Sequence, residues 1–523
     1  MTHYLLGVVV LMPATLMFLL MLISLRPGRS VAGLWRIFIR LSGLALAFTV
    51  LVGLTGLTGM EATGLRHWLA ASPFGMIMAV LVQLLGTVIA AFSARYLEGE
   101  PGQRRYAAAL AGVLSAVQLL VLANHWVVLI AAWALVGVAL QHLLCFYPDR
   151  PFATLAAHKK RLADRLADVL LILAASSAWV AVGSGSFSDM WQFLAREGIT
   201  DNLQLSAVCL VLAVVVRTAL LPVHGWLIQV MEAPTPVSAL LHAGVVNLGG
   251  YILIRFAPLL EQADLARTLL VTFGLGTAVI AGLVMLTRIS IKVRLAWSTV
   301  AQMGFMLLEC GLGLYTLAAL HLFGHSLYKA HAFLSASMVV RQTRLHVMRG
   351  TVTAAPISLL LAPAVAVPMV LLIQAVLSNA AWPWWWSVVL GLAWAPMLWL
   401  PAGSDQTRTL FRQGLFGLLM VAGLTGLALL AHALPLGIHD APHHTLGKIA
   451  LTGMAALYLC LATLQLRPRS LGAWRRRIYA GFYMDEIYTR LALRLWPTRW
   501  ISKALPIDRP IVTTMKTDDA RKK

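Results

Sequence analysis

Apolar runs of about 20 residues, separated by short polar joints, recur along this chain from its first residues to about residue 466. Such a run, wound as a helix rising about 1.5 Å per residue, matches the ~30 Å hydrocarbon core of a bilayer. Inside lipid, a helix satisfies its backbone donors and acceptors within its own segment. A window of that length places fifteen candidate spans near residues 4–24, 36–58, 72–94, 106–124, 126–146, 166–184, 205–221, 236–254, 268–287, 295–313, 315–340, 355–378, 382–401, 413–433 and 449–466. The chain therefore reads as all-α: a polytopic transmembrane helical bundle of about 13–15 spans over residues 1–466, followed by a basic amphipathic tail over 467–523. Composition agrees, with 60% of the 523 residues hydrophobic and 12% charged; ordinary soluble domains are roughly a quarter charged. That balance excludes a disordered chain and a water-soluble enzyme. The opening stretch, Met1 to Ser24, has neither a basic leader nor a small-residue cleavage site, so it reads as a retained first span rather than a signal peptide.

The formal net charge of +21, from 41 Lys and Arg against 20 Asp and Glu, does not point to nucleic acid. The basic residues sit in joints between apolar runs and do not interleave with aromatics on a polar surface. With fifteen spans in place, 34 basic residues fall on one side of the membrane and 5 on the other. The positive-inside rule then sets the N-terminus outside and the tail in the cytoplasm, in a multi-pass protein of the cell inner membrane. This count assigns Lys159, Lys160, Arg161 and Arg165 to the joint before the sixth span, and Arg341, Arg344 and Arg349 to the joint after the eleventh. Trp382, Trp384, Trp385 and Trp386 read as an interfacial aromatic belt. The Arg- and aromatic-rich stretch 475–505 reads as a helix lying on the membrane surface, with docking to a partner subunit as the alternative. Cys145, Cys209, Cys310 and Cys460 lie in or beside apolar runs without CxxC spacing and read as small buried hydrophobes.

A charge near the bilayer centre costs a few kcal/mol on insertion scales, so each one needs a reason. A structural pair between helices is the plain alternative at every position that follows. Arg217 stands inside VLAVVVRTALLP, five residues before Pro222. The next stretch, PVHGWLIQVMEAPTP, carries Pro222, Glu232, Pro234 and Pro236, and proline breaks a helix and frees carbonyls. A broken helix beside a buried cation suits an ion pathway. His321, His325 and Lys329 are spaced i, i+4, i+8 on one face of the eleventh span. Imidazole titrates near neutrality and a buried amine can also exchange a proton, so the stripe reads as a proton relay. His331 lies off the stripe and is left undecided. His242, with Asn247 five residues on, either extends a polar line from Arg217 or bonds to a neighbouring helix. Arg165 and Asp168, at i, i+3, suit an ion pair, and Arg161 and Asp164 repeat that spacing one turn earlier. Lys292 stands at the mouth of the tenth span, while Glu61 and Glu309 are isolated acids near span ends with no assigned role. No phosphate-binding glycine loop occurs, and the HxxxH of His321 and His325 has no cysteine or carboxylate beside it in the sequence. No metal site, cofactor or catalytic residue is therefore expected in this chain.

The run MEAPTPVSALLHAGVVNLGGYILIR, with RTALLPVHGWL upstream and SIKVRLAWSTVAQMGFM and HSLYKAHAFL downstream, resembles the signature of the proton-translocating antiporter-like subunits of respiratory complex I and the Mrp antiporters. The resemblance covers roughly residues 75–345 and implies two inverted five-helix repeats, each with a broken helix. It implies that Arg217 stands where family members carry a central lysine, and that His242 matches the histidine of the next helix. It also implies that Lys292, His321, His325 and Lys329 continue a polar line through the membrane middle, supported by an Arg165–Asp168 pair. Two positions depart from the pattern. Trp133 is followed by Ala134 where the family has a glutamate, and residues 355–405 hold no lysine for the second broken helix.

A shortened chain of this kind ending in IYAGFYMDEIYTRLALRLWP is similar to the membrane subunits of the two-component DAB inorganic-carbon pumps. That resemblance implies that protons, with sodium ions as the alternative, run down their gradient through this chain. It implies a DabA-like partner on the cytoplasmic face, a zinc carbonic-anhydrase-like subunit that carries the zinc and turns CO2 into bicarbonate. A proton-pumping subunit of a respiratory complex I or related hydrogenase is the alternative, and a non-conducting membrane anchor is a third reading.

Overall fold

The computed structural model describes residues 2–28, 30–56, 67–336, 354–377, 382–402, 407–467 and 472–497. Glu61, Arg341, Arg344 and Arg349 lie outside the described residues. In chain order the helices are α1 (Thr2–Leu25), α2 (Val31–Gly56), α3 (Pro73–Tyr96), α4 (Gln103–Leu122), α5 (Trp126–Leu144), α6 (Pro151–Val182), α7 (Phe187–Glu197), α8 (Asp201–Arg217), α9 (Gly225–Gln229), α10 (Thr235–Ala243), α11 (Leu248–Arg255), α12 (Ala257–Gln262), α13 (Asp264–Met285), α14 (Ile291–Leu312) and α15 (Tyr315–Leu334). They continue with α16 (Pro356–Leu377), α17 (Trp384–Trp394), α18 (Thr407–His432), α19 (His444–Leu466), α20 (Gly472–Tyr479) and α21 (Met484–Leu495). Among the described residues no strand forms beyond isolated bridges between loops.

Each of the fifteen expected runs contains a helix. Among the described residues, eleven stretches are long and apolar enough to cross a membrane, while Val9–Leu25 and Trp384–Leu398 are shorter apolar helices. The outer helices turn large aliphatics outward, with Leu360 74%, Val376 72% and Leu430 73% exposed. A surface of that kind suits lipid rather than water. The core lies where α3, α4, α8, α10, α11, α13, α14 and α15 pack on one another.

Three local features place the site. First, α8 stops at Arg217, and Thr218–His224 runs irregularly to α9 and a 3-10 turn at Val230–Glu232. Pro234 precedes α10 and Pro236 is its second residue, where a missing N–H costs nothing. The expected proline break is present. Second, Gly244 interrupts the next span, and a 3-10 turn at Val245–Asn247 separates α10 from α11. Third, α14 and α15 form an antiparallel hairpin turned by Gly313 at φ +76°, where an added Cβ would stand 2.0 Å from the Ala441 carbonyl oxygen.

Two sequence assignments are corrected here. Lys159 and Lys160 are not in a joint: α6 starts at Pro151, runs 32 residues, and buries both lysines, which are 0% and 3% exposed. At about 1.5 Å per residue that helix is roughly 48 Å long, well beyond the ~30 Å hydrocarbon core, so it extends past the apolar span. The tryptophan group is not a belt either. Trp382, Trp385 and Trp386 are buried and only Trp384 is exposed, because α17 packs between α16 and α19. Trp382 donates to Ser387 Oγ (2.9 Å) and Trp385 to His444 Nδ1 (3.3 Å).

Candidate ion site

The candidate side chains form two largely buried groups. The first is built where α8 ends against α6. Arg217 Nη2 donates to Asp168 Oδ1 at 2.6 Å, and its Nε stands 3.6 Å from Asp164 Oδ1. Its guanidinium lies over the Trp133 ring of α5, 4.7 Å from the centroid. Lys160 pairs with Asp164 one turn earlier on α6. Arg165, mostly exposed, reaches Asp168 Oδ2 at 3.5 Å, so the expected Arg165–Asp168 pair forms while Asp168 also serves Arg217. A cavity of about 180 Å³ opens on this cluster, lined by Ala134, Gly137, Arg161, Asp164, Asp168 and Arg217 among others. Ala134 is the position at which the family glutamate is missing. The acids that face Arg217 come instead from α6, one helix over. Sequence spacing revealed the Arg165–Asp168 pair, but not that Asp164 pairs with Lys160 or that both carboxylates are turned to Arg217.

The second group lines the α14–α15 hairpin and α10. Lys329 donates to the Leu295 carbonyl oxygen at 3.0 Å and to Ser298 Oγ. Among the described residues it meets no carboxylate, so its ammonium has only dipoles to hold it. One turn up α15, His325 is 6% exposed and both ring nitrogens lack a partner. One further turn on, His321 Nδ1 lies 2.8 Å from Glu309 Oε2 of α14, and the His321 and His325 rings are 6.2 Å apart. Glu309, given no role from sequence, is therefore the acid of the stripe. An acid on one helix and a histidine on the next, 12 residues apart, carry no spacing signal. His242 of α10 is fully buried, stacks on Phe333 of α15 at 4.5 Å, and leaves both ring nitrogens unpartnered. Asn247 donates to Ser326 Oγ at 2.7 Å, tying the α10–α11 interruption to the same helix. His331 is exposed.

At the basic end, Lys292 donates to Thr235 Oγ1 at 3.0 Å, at the start of α10. From Lys292 to Glu309 along α14 is about 25 Å of helix, so the hairpin carries titratable groups through most of a bilayer's depth. At the far end, Asp440 Oδ1 accepts the N–H of Thr316 at 2.7 Å, in the first turn of α15. Burial raises the Asp440 carboxyl above its usual range, opposed by that N–H and by His432. Arg217 also lines, with Trp226, Val245, Val246 and Gly249, a space of about 10 Å³, no larger than a single water needs. Of the broken-helix residues, Glu232 meets Arg150 through its carbonyl oxygen at 2.6 Å, and His224 Nδ1 lies 3.3 Å from the Pro222 carbonyl.

Chemically, the second group offers imidazoles with free nitrogens and an amine without a counter-ion, which can take up and pass on protons. The first offers a permanent cation, since guanidinium does not deprotonate in proteins. Broken helices, intramembrane charge and titratable groups on adjacent helices define a multi-pass membrane subunit of the antiporter-like class. Comparison with known proteins agrees. Residues 123–385 match the family described as NADH:quinone oxidoreductase/Mrp antiporter, TM. The probable inorganic carbon transporter subunit DabB of Hydrogenovibrio crunogenus is 38% identical over 445 residues, covering 83% of this chain and 84% of that protein. DabB2 of Halothiobacillus neapolitanus is 38% identical over 448 residues, covering 81% and 80%. NADH-ubiquinone oxidoreductase chain 5 of Metridium senile is 32% identical over 57% of this chain and 52% of its own length. The Mrp complex from Dietzia shares the fold, with a TM-score of 0.62 over 94% of this chain and 59% of that one at 22% identity. The chain belongs to the DabB family within that antiporter-like class.

Proposed function

We propose that this chain is the proton-conducting membrane subunit of an energy-coupled inorganic-carbon accumulation complex, in the inner membrane with its N-terminus outside and its basic tail in the cytoplasm. The observation that carries the reading is the file Lys329–His325–His321–Glu309, inside the bundle and flanked by His242. Protons enter and leave through Lys292 and Asp440 at the two ends, and Arg217, held by Asp164 and Asp168, acts as a fixed electrostatic element that does not itself release a proton. Passage of the ion biases the conformation of a cytoplasmic partner. That partner is DabA-like, holds the zinc, and hydrates CO2, so no catalytic residue is sought in this chain. The relatives' description as inorganic carbon transporter subunits, at 38% identity over most of both chains, supports this assignment over a complex I pump.

The test is bicarbonate accumulation in cells lacking other uptake routes. Lys329→Ala and His325→Ala are expected to reduce it at least tenfold at normal expression. Full accumulation by both variants removes these residues from the pathway.

A further inference from the structure

The charged cluster on α6 is balanced by the tail. Lys159, one residue before Lys160, is completely buried, and its counter-ion is Asp485, at the start of α21 and 326 positions away in sequence. The contact is built from several sides. Lys159 also donates to Thr489 Oγ1 at 2.8 Å, Tyr488 donates its hydroxyl to the Lys159 carbonyl oxygen at 2.9 Å, and Gln229 of the broken helix donates to Asp485 Oδ2 at 3.0 Å. Asp485 sits where α9 begins: a Cβ added to Gly225 would stand 1.4 Å from Asp485 Oδ1 and 2.7 Å from Lys159 Nζ. A Cβ there would push the Asp485 carboxylate out of its place beside Lys159. The tail thus touches α6 and the broken helix at once, next to the residues that hold Arg217.

The buried cations of this region are Lys159, Lys160 and Arg217, and their acids are Asp164, Asp168 and Asp485. With α21 in place the set is neutral. With α21 lifted, a buried ammonium is left without its acid, and such a charge is strongly unfavourable. Lys159 must then reach water or lose its proton. Docking of α21 and protonation of Lys159 are therefore thermodynamically linked. The groups facing Lys159 are Asp485, Glu486 and Tyr488 from α21, His224 from the helix break, and Lys160 on α6, with Arg288 near His224. Asp485 is the only acid among them in contact.

We propose that α21 is the coupling element of this subunit: Asp485 is a positioning residue that holds the tail on the broken helix while Lys159 is protonated, so that a change in charge at the α6 cluster releases the tail. This rests on the functional reading above, and supplies the part that reading lacks, a device that turns ion passage into movement at the tail.

The test uses the full chain co-expressed with its partner, with Cys145 and Cys460 replaced by serine. Tail docking is read by the rate at which a cysteine at Ala492, buried in α21, reacts with a membrane-impermeant maleimide. Function is read by the pH profile of inorganic-carbon accumulation. Asp485→Asn and Gly225→Ala are expected to raise the labelling rate at least tenfold and to shift the pH profile, while Asp485→Glu keeps both near wild type. Faster labelling with an unshifted profile shows a merely structural tail and overturns the proposal, as does unchanged labelling in Asp485→Asn. A wild-type chain with no proton-linked accumulation overturns the functional reading and this inference with it, whereas an unshifted variant against a proton-linked wild type overturns this inference alone.

Discussion

Arg217 is a buried cation held by partners from two neighbouring helices. A guanidinium spans two carboxylates and covers an aromatic face, which an ammonium cannot do in the same geometry. Asp168→Ala removes its shortest contact, at 2.6 Å, and leaves a buried cation facing Asp164 alone. The expected cost is about 3–5 kcal/mol, read as a lowered unfolding midpoint of the purified protein. Arg217→Lys keeps the charge but loses the second acid or the Trp133 contact, so an intermediate loss is expected in the same measurement. At this scale the sequence was informative wherever one helix supplies both partners. The stripe of His321, His325 and Lys329 and the Arg165–Asp168 pair follow from helical periodicity. It was silent wherever partners come from different helices, as with Glu309 and His321 or Lys159 and Asp485. Spacing along a chain encodes neighbours on one helix face and nothing about the helix opposite.

Among the elements, α15 has its first turn fastened from a distant segment. Asp440 accepts the Thr316 N–H as a capping side chain would, although it lies 124 residues further on. Asp440→Ala is expected to lower stability by about 1 kcal/mol. Asp440→Asn keeps an oxygen for Thr316 and removes a carboxylate whose pKa burial has raised. A raised carboxyl pKa favours the fold at low pH and loses that contribution as pH rises through the folded-state value. Asp440→Asn should therefore match wild type under acid conditions and be at least as stable at neutral pH, measured by thermal unfolding at both. Helix existence was legible in the apolar runs, and the α8–α9 break in its prolines. The interruption at Gly244 was not, because a single glycine in an apolar run is common in membrane helices. The start of α6 was misplaced because its lysines look like loop residues until Asp164 and Asp485 are seen to neutralise them.

For the whole molecule, the exposed aliphatic face and the buried charged interior define one physical object: a lipid-embedded bundle with buried titratable groups along the α14–α15 hairpin and at the α6–α8 contact. Class and membrane setting could be read from the sequence, since they depend on run length and charge, which are local. The placing of Val245 and Val246 beside Arg217 could not, since it depends on how α10 and α11 sit beside α8. If those valines form a dry barrier, Val245→Ser should increase ion passage, read as faster decay of an imposed pH gradient in vesicles containing the complex. The most direct measurement of the central claim is that same decay, followed with a pH-sensitive dye trapped inside vesicles holding this chain and its partner. Wild type should dissipate the gradient, and the double variant His325→Ala, Lys329→Ala should hold it near the level of empty vesicles. Equal dissipation by both proteins, or none by wild type, would contradict proton passage through this file.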